Sequence, residues 1–129
     1  MRAAPMDSPA DMATASEGDV LIAGAGPVGL LLANLLGRQG RTVLVAERRV
    51  TPTHGSMAIG ITPPSLAILH CLDLDGEFTR RGIPIRVARV FEDNEPLGDV
   101  DFSRLPAEHR FILSLPQADT VEILRQRLA

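Results

Sequence analysis

A glycine-rich turn between a short apolar segment and a leucine-rich run constrains the fold of this chain most strongly. The stretch "DVLIAGAGPVGLLLANLLGRQG" places Gly24, Gly26 and Gly29 in the spacing G-x-G-x-x-G. The residues before Gly24 are apolar and rich in β-formers, as in a buried parallel strand. Pro27 follows in the first helical turn, where its missing N–H costs nothing. The sequence therefore predicts a strand, a tight turn and a helix in immediate succession.

The helix and a second strand extend this pattern to a β-α-β unit over residues 19–47. Six apolar residues are expected to cover a wide face of the helix: Val28, Leu30, Leu31, Leu32, Leu35 and Leu36. Gly40 is expected to end the helix, and "TVLVAE" over residues 42–47 predicts the second buried strand. In this context the glycine motif indicates a dinucleotide site.

Each element of the motif has its own steric or electrostatic reason. Gly24 allows the tight turn, Gly26 lets the backbone approach a pyrophosphate, and Gly29 lets helix and strand pack closely. The pyrophosphate would meet free N–H groups at the positive end of the helix. Glu47 ends the second strand, where its carboxylate would accept hydrogen bonds from both hydroxyls of an adenosine ribose and repel a 2′-phosphate. These residues predict NAD or FAD as the ligand. Alternatively, the glycines only pack strand on helix and Glu47 is a solvated strand end.

The chain after Glu47 does not continue into another regular βα unit. The segment "ITPPSLAIL" predicts a helix that begins at Ser65 or at the preceding proline pair. Its expected apolar side comprises Leu66, Ile68, Leu69 and Leu72. Strands are predicted for "IPIRVARVFED" and for residues 110–116, and an amphipathic helix for residues 117–129. The expected apolar face of that last helix comprises Val121, Leu124 and Leu128.

Composition excludes several classes of partner and site. The net charge of −3 and the lack of basic runs argue against nucleic acid, and 3% aromatic residues leave no platform for stacking bases. The single cysteine, Cys71, excludes an internal disulfide and fits a reducing cytosol, and we expect it to be buried. His54, His70 and His109 are far apart in the sequence and predict no metal site.

Neither the beginning of the chain nor its uncharged stretch predicts a targeting or membrane segment. Residues 1–18 are small, polar and proline-broken, which is typical of a disordered leader rather than a secretory signal. Residues 20–37 carry no charge, but the glycine turn interrupts this run, which argues against a membrane span. We therefore expect a cytoplasmic protein with no membrane partner.

Three segments in this order resemble the N-terminal part of the class A flavoprotein monooxygenases, the para-hydroxybenzoate hydroxylase-like aromatic hydroxylases. They are "DVLIAGAGPVGLLLANLLGRQGRTVLVAER", "AIGITPPSLAIL" and "LPQADTVEILRQRL", and the likeness extends from Asp19 to Ala129. In that family the glycine turn and the acid bind the ADP half of FAD, an E-R pair ends the second strand, and a glutamine opening the later helix contacts the flavin side. The resemblance implies these cofactor-binding residues: Gly24, Ala25, Gly26, Pro27, Val28, Gly29, Glu47, Arg48 and Gln117.

The chain departs from the family pattern in two places. Family members commonly carry an arginine near the pyrophosphate and flavin where this chain has Met57, so we expect a weakened contact with the phosphates there. The later "D-G" and "G-D" motifs of the family lie beyond Ala129. The resemblance implies no catalytic residue within this chain, because the flavin itself carries the chemistry.

The expected fold is α/β, a Rossmann-like FAD-binding β-α-β unit followed by the start of a β-rich substrate domain, truncated. After a leader over residues 1–18, residues 19–129 form a partial FAD-binding domain. Its expected parts are the β-α-β unit over 19–47, a loop and helix over 48–83, strands of the substrate-side sheet over 84–116, and a returning helix over 117–129. Since no strand follows that helix, we expect association through an incomplete sheet edge.

By resemblance, the chain is the FAD-binding N-terminal part of a flavin monooxygenase. Such an enzyme uses NADPH or NADH as a transient electron donor and hydroxylates an aromatic or polyketide-like substrate with oxygen. Two alternatives stay open. One is an NAD-dependent dehydrogenase domain, which the proline-rich stretch over residues 50–64 disfavours. The other is a catalytically inactive, truncated nucleotide-binding fragment.

Overall fold

The structure of this chain is a computed structural model that describes residues 20–49 and 60–128. The predicted leader over residues 1–18 lies outside the described residues, and so do Met57 and His54. The chain divides into two compact units, whose described parts are taken in turn below.

The first unit comprises residues 1–54 and 120–129 and contains the β-α-β arrangement. Its described elements are strand β1 (Val20–Ala23), helix α1 (Pro27–Arg38), strand β2 (Val43–Ala46) and the later part of helix α4 (Gln117–Leu128). Strands β1 and β2 run parallel, with Ala23 opposite Ala46. This register brings the carboxyl ends of both strands to the same edge of the sheet.

Helix α1 begins and ends for local reasons that the sequence contains. Pro27 occupies the first helical position. At the other end Gly40 takes a positive φ of 76° and donates its N–H to the Gly37 carbonyl, while Arg41 donates to the Leu36 carbonyl. These two bonds form a Schellman motif, which satisfies carbonyls at the helix end. The prediction that Gly40 ends the helix is therefore confirmed.

The buried face of α1 is narrower than the wide apolar face predicted for it. Its buried residues are Leu30, Ala33 and Asn34, spaced as i, i+3 and i+4. Val28 is 80% exposed and Leu32 is 44% exposed, so these two residues of the predicted apolar face are not buried. The leucines of this helix lie on several of its sides, whereas only one narrow stripe is buried. The pattern of apolar residues therefore overestimated the width of the buried face.

The buried residues of α4 also differ from those predicted. Ile123 and Leu124 are buried, whereas Val121 and Leu128 are only half-buried. Only Leu124 of the predicted face is therefore part of the core.

The second unit, residues 55–119, contains an antiparallel sheet, two short helices and a hairpin. Its described elements are β3 (Gly60–Ile61), α2 (Pro63–His70), α3 (Asp75–Arg81), β4 (Ile83–Ile85), β5 (Val87–Glu92), β6 (Glu95–Asp101), the 3-10 turn Phe102–Arg104, β7 (Ile112–Ser114) and the start of α4. Strand β7 lies between β3 and β4 in a three-stranded sheet. The core residues are Leu66, Leu69, Leu72, Leu74, Phe78, Leu113 and Leu115.

The stretch from "ITPPSLAIL" to Arg81 forms two helices where the sequence predicted one. Helix α2 stops at His70, Cys71 is exposed, and Asp73 takes a positive φ of 60° before α3 begins. The expectation that Cys71 is buried was wrong because it lies at the end of α2 rather than within a helix. Ile68 is also 42% exposed, in contrast to the predicted apolar side.

The predicted strand "IPIRVARVFED" is two strands that pair with different partners. Strand β4 pairs with β7, whereas β5 pairs with β6 in a hairpin. The hairpin closes at Asp93 and Asn94, whose positive φ values of 47° and 67° are those of a type I′ turn. Strand β6 was not predicted, because "EPLGDVD" contains proline, glycine and three acids and shows no alternation of apolar and polar residues.

Candidate nucleotide-binding site

The glycine turn follows β1 directly, and each of its three glycines meets a different constraint. Gly24 has a φ of +107°, which side chains of L-residues rarely allow, and its N–H donates to the Ala46 carbonyl at 2.7 Å. A Cβ at Gly29 would lie 2.1 Å from the Gly24 carbonyl oxygen, so only glycine fits there. A Cβ at Gly26 would meet nothing within 4 Å. The backbone at Gly26 therefore has open space in front of it.

The start of α1 offers backbone donors beside that open space. Gly26 is the N-cap and contributes no side-chain hydrogen bond, and Pro27 has no N–H. The first helical hydrogen bond runs from the Leu30 N–H to the Gly26 carbonyl at 2.9 Å. The N–H groups of Val28 and Gly29 therefore precede any acceptor in the helix. Together with the positive end of the helix dipole they form an arrangement that suits an anion.

Glu47 follows β2 and turns its carboxylate back toward the glycine turn. Oε2 accepts a hydrogen bond of 2.8 Å from the Ala25 N–H, and Oε1 accepts one of 2.8 Å from the Arg49 N–H. The bond from Arg49, followed by that from Ala25, lowers the pKa of Glu47 below its ordinary range. The carboxylate is therefore ionised at neutral pH and is anchored by the protein's own backbone.

The bond from Ala25 to Glu47 is a feature that reasoning from the sequence did not include. The parallel pairing of Ala23 with Ala46 places the residues that follow each strand side by side. Glu47, directly after β2, and the Ala25 amide, two residues after the end of β1, are thus neighbours. That register was the signal that could have revealed the contact.

The remaining predicted residues, Arg48 and Gln117, lie in different units. Arg48 is exposed and directly follows Glu47 in the first unit. Gln117 is the first residue of α4, is half-buried and belongs to the second unit. Within that unit an ion pair between Arg81 and Asp119 connects α3 with the first turn of α4.

Two histidines that are distant in the sequence meet at one carboxylate in the second unit. His70 Nδ1 lies 3.1 Å and His109 Nε2 lies 3.4 Å from Asp75 Oδ2. The hydrogen bond and the charge of Asp75 raise the pKa of His70 above its ordinary value. Among residues 20–49 and 60–128, no group of three or more histidine, cysteine or acidic side chains is arranged to hold a metal ion. The cluster connects α2, α3 and the loop before β7.

None of the helices in the described parts of the chain combines the length and the hydrophobicity that crossing a membrane requires.

Comparison with known proteins associates this geometry with flavin enzymes. The model of the FAD binding domain family matches residues 17–129. The 6-methylpretetramide 4-monooxygenase of Streptomyces rimosus is 41% identical over 112 residues, which cover 85% of this chain and 20% of that protein.

Two solved structures share the fold. The anhydrotetracycline hydroxylase of Streptomyces rimosus superimposes with a TM-score of 0.72 at 36% identity, over 85% of this chain and 22% of that one. The p-nitrophenol 4-monooxygenase of Pseudomonas putida DLL-E4 superimposes with a TM-score of 0.79 at 27% identity, over 87% of this chain and 29% of that one. In each case the chain spans less than a third of the longer protein.

Proposed function

The chain belongs to the family of FAD binding domains, and from this premise we propose that residues 20–49 hold the ADP half of FAD. The open backbone at Gly26 carries the proposal, because it leaves room for a pyrophosphate directly against the start of α1. Val28 and Gly29 would donate their N–H groups to its oxygens. Glu47, ionised and placed at the same edge, would accept hydrogen bonds from the adenosine ribose.

Family membership also decides between NAD and FAD, a choice that the glycine motif by itself leaves open. The ligand is FAD rather than NAD, and the α/β, Rossmann-like fold and the resemblance to class A flavoprotein monooxygenases are both confirmed. The second unit supports the same conclusion, since its three-stranded sheet pairs in antiparallel fashion and residues 60–119 add no further parallel βα unit of the dehydrogenase type.

We propose that the complete protein is a monooxygenase that acts on an aromatic or polyketide-like substrate. The relatives that support this are named for 6-methylpretetramide and anhydrotetracycline. FAD, when bound, would take electrons from NADPH or NADH and supply the oxygen chemistry. This chain would bind and orient the cofactor, with Arg48 near the ADP half and Gln117 toward the flavin, as the family pattern implies. It contributes no catalytic residue in this proposal.

We further propose a cytoplasmic location, which the single cysteine supports. Association with another chain through the β1–β2 sheet is also part of the proposal. Leu21 and Leu44 are direct neighbours in that sheet and are 51% and 52% exposed. Among the residues that the structure describes, this sheet has two strands only, and an apolar pair beside such a short sheet favours contact with further protein.

Calorimetric titration of the 129-residue chain tests the nucleotide site. We expect FAD and ADP to bind and FMN, which lacks the adenosine and one of the two phosphates, not to compete. A Gly26→Ala variant should lose at least about tenfold in affinity for both, the scale of one hydrogen bond to a charged group. Gly37→Ala is the matched control, because a Cβ there also meets nothing within 4 Å but lies near the far end of α1.

The same titration has three outcomes that would contradict the proposal. Tighter binding of NAD than of FAD would favour a dehydrogenase domain. A chain that is folded yet binds none of these nucleotides would be the inactive fragment. Equal affinities of the Gly26→Ala and Gly37→Ala variants would contradict a pyrophosphate at the glycine turn.

A further inference from the structure

We infer that Glu47 is a positioning residue for the glycine turn: its carboxylate holds the Ala25 and Arg49 amides before any nucleotide binds. These two backbone contacts require a carboxylate at this position. The inference deepens the proposed function and rests on it for its second readout only. The two amide contacts are present in the chain without ligand, so recognition of a ribose does not explain them.

The geometry shows a turn attached at two consecutive amides. The Gly24 N–H donates to the Ala46 carbonyl at 2.7 Å, and the Ala25 N–H donates to Glu47 Oε2 at 2.8 Å. The chain leaving β1 is thereby bonded to the end of β2 just before Gly26. Glu47 is itself restrained, because its other oxygen accepts from the Arg49 N–H. One exposed side chain thus connects the two segments that would surround a nucleotide.

The chemistry of donors and acceptors explains why an acid is needed. A backbone amide only donates, whereas a ribose hydroxyl both donates and accepts. Glutamine has a single acceptor oxygen, so at position 47 it would leave one of the two amides facing an NH2 group. The same glutamine could still satisfy a ribose hydroxyl through that NH2 group. A carboxylate offers about four acceptor sites, enough for both amides and two hydroxyls.

The length of the side chain at position 47 decides which of the two amides it can reach. An aspartate at position 47 would be one methylene shorter, yet aspartate readily accepts from the amide two residues ahead in an Asx-turn. The Glu47→Asp variant should therefore keep the bond from Arg49 and lose the bond from Ala25. Glu47→Gln and Glu47→Asp thus perturb different combinations of the same contacts.

Amide NMR of the 15N-labelled, full chain without nucleotide tests the inference. In the wild type, the Ala25 and Arg49 resonances should titrate together, with one apparent pKa below the ordinary glutamate range. This titration should vanish in Glu47→Gln and persist only at Arg49 in Glu47→Asp. Exchange of the Ala25 amide should become about tenfold faster or more in both variants. Glu95→Gln, at an exposed acid of the hairpin, is the control and should change neither resonance.

The second readout is affinity for ADP, measured by calorimetry on the same four proteins. We expect Glu47→Gln to bind ADP more weakly than the wild type although it can still bond to the ribose. An Ala25 amide that neither titrates nor exchanges faster would overturn the inference, and so would unchanged ADP affinity in a Glu47→Gln chain whose turn amides have been released. If the wild type binds no ADP, the proposed function fails, while the amide titration still decides whether Glu47 holds the turn.

Discussion

The side-chain amide of Asn34 in α1 donates a hydrogen bond of 3.0 Å to the backbone carbonyl of Leu124 in α4, 90 residues further along the chain. The same Nδ2 group also donates to the Leu30 carbonyl of its own helix at 2.8 Å. Asn34 is 6% exposed and is the one buried polar side chain in the described parts of the molecule. Because buried polar groups are stable only when bonded, this pair fixes how α1 and the end of α4 pack.

Replacement of Asn34 should destabilise the chain according to the charge it introduces. Asn34→Ala loses two hydrogen bonds and creates a small cavity, for a cost of about 1–3 kcal/mol. Asn34→Asp should cost more, about 3 kcal/mol or above at neutral pH, because a buried carboxylate would face two carbonyl oxygens. Urea unfolding followed by circular dichroism measures both. Asn94→Asp, in the exposed hairpin turn, is the control, and a loss there as large as at Asn34 would contradict this account.

Substitution of Gly29 should disrupt the first unit itself. The Cβ of a Gly29→Ala variant would lie 2.1 Å from the Gly24 carbonyl oxygen and 3.2 Å from the Gly24 carbonyl carbon, and side-chain rotation cannot relieve a clash with these backbone atoms. We expect a loss of more than about 3 kcal/mol or failure to fold. Gly37→Ala should instead stabilise α1 by about 0.5–1 kcal/mol, since it replaces an unconstrained helical glycine. Thermal unfolding of the two variants side by side measures the contrast, and equal melting temperatures would refute it.

The pairing of His70 with Asp75 should contribute to the free energy of unfolding only within a pH range, which Asp75 limits on the acid side and His70 on the basic side. The pKa of His70 is raised, so its contribution is complete below about 6.5 and is lost as the pH rises through the folded value. Partial burial alone would raise the pKa of Asp75, but the bond and charge of His70 leave it lowered. Its contribution is therefore present above about 3.9 and is lost on further acidification.

Proton NMR of the His70 ring tests this pairing directly. In an Asp75→Asn variant the pKa of His70 should fall toward about 6.5, the value of an unperturbed histidine. Asp93→Asn, in the hairpin turn, should leave it where it is. A His70 pKa that is the same in the wild type and in Asp75→Asn would show that the ion pair does not form in solution.

Substitutions at Asn94 should change the stability of the hairpin through the backbone conformation that this position requires, and not through side-chain contacts. Asn94 holds a φ of 67° in the type I′ turn. Asn94→Gly should be neutral or stabilise the hairpin by up to about 1 kcal/mol, whereas Asn94→Val should destabilise it by about 1–2 kcal/mol, because β-branched residues resist positive φ. Exchange of the β5–β6 backbone amides reports the effect, and a stabilised hairpin in Asn94→Val would contradict the turn assignment.

Short-range features of the first unit could be predicted because the partners lie within a few residues or within one β-α-β repeat. The positive φ of Gly24, the start of α1 at Pro27 and the Schellman motif at Gly40 all follow from what backbone geometry permits for glycine and proline. Glu47 could be placed beside the turn for the same reason, since a parallel unit of this length brings both strand ends to one edge. The sequence by itself thus determined the tight turn after β1, the start and end of α1 and the position of Glu47 directly after β2.

Only the tertiary structure decided which of many apolar residues are buried and which polar groups meet. The leucine-rich sequence of α1 allows several buried faces, and packing selected the stripe that contains Asn34, whose partner on Leu124 no local pattern indicates. His70 and His109 converge on Asp75 because α2, α3 and the loop before β7 fold together, although the three residues share no motif. Such contacts depend on the positions of whole elements, which follow from the summed burial of the core rather than from the propensity of any short segment.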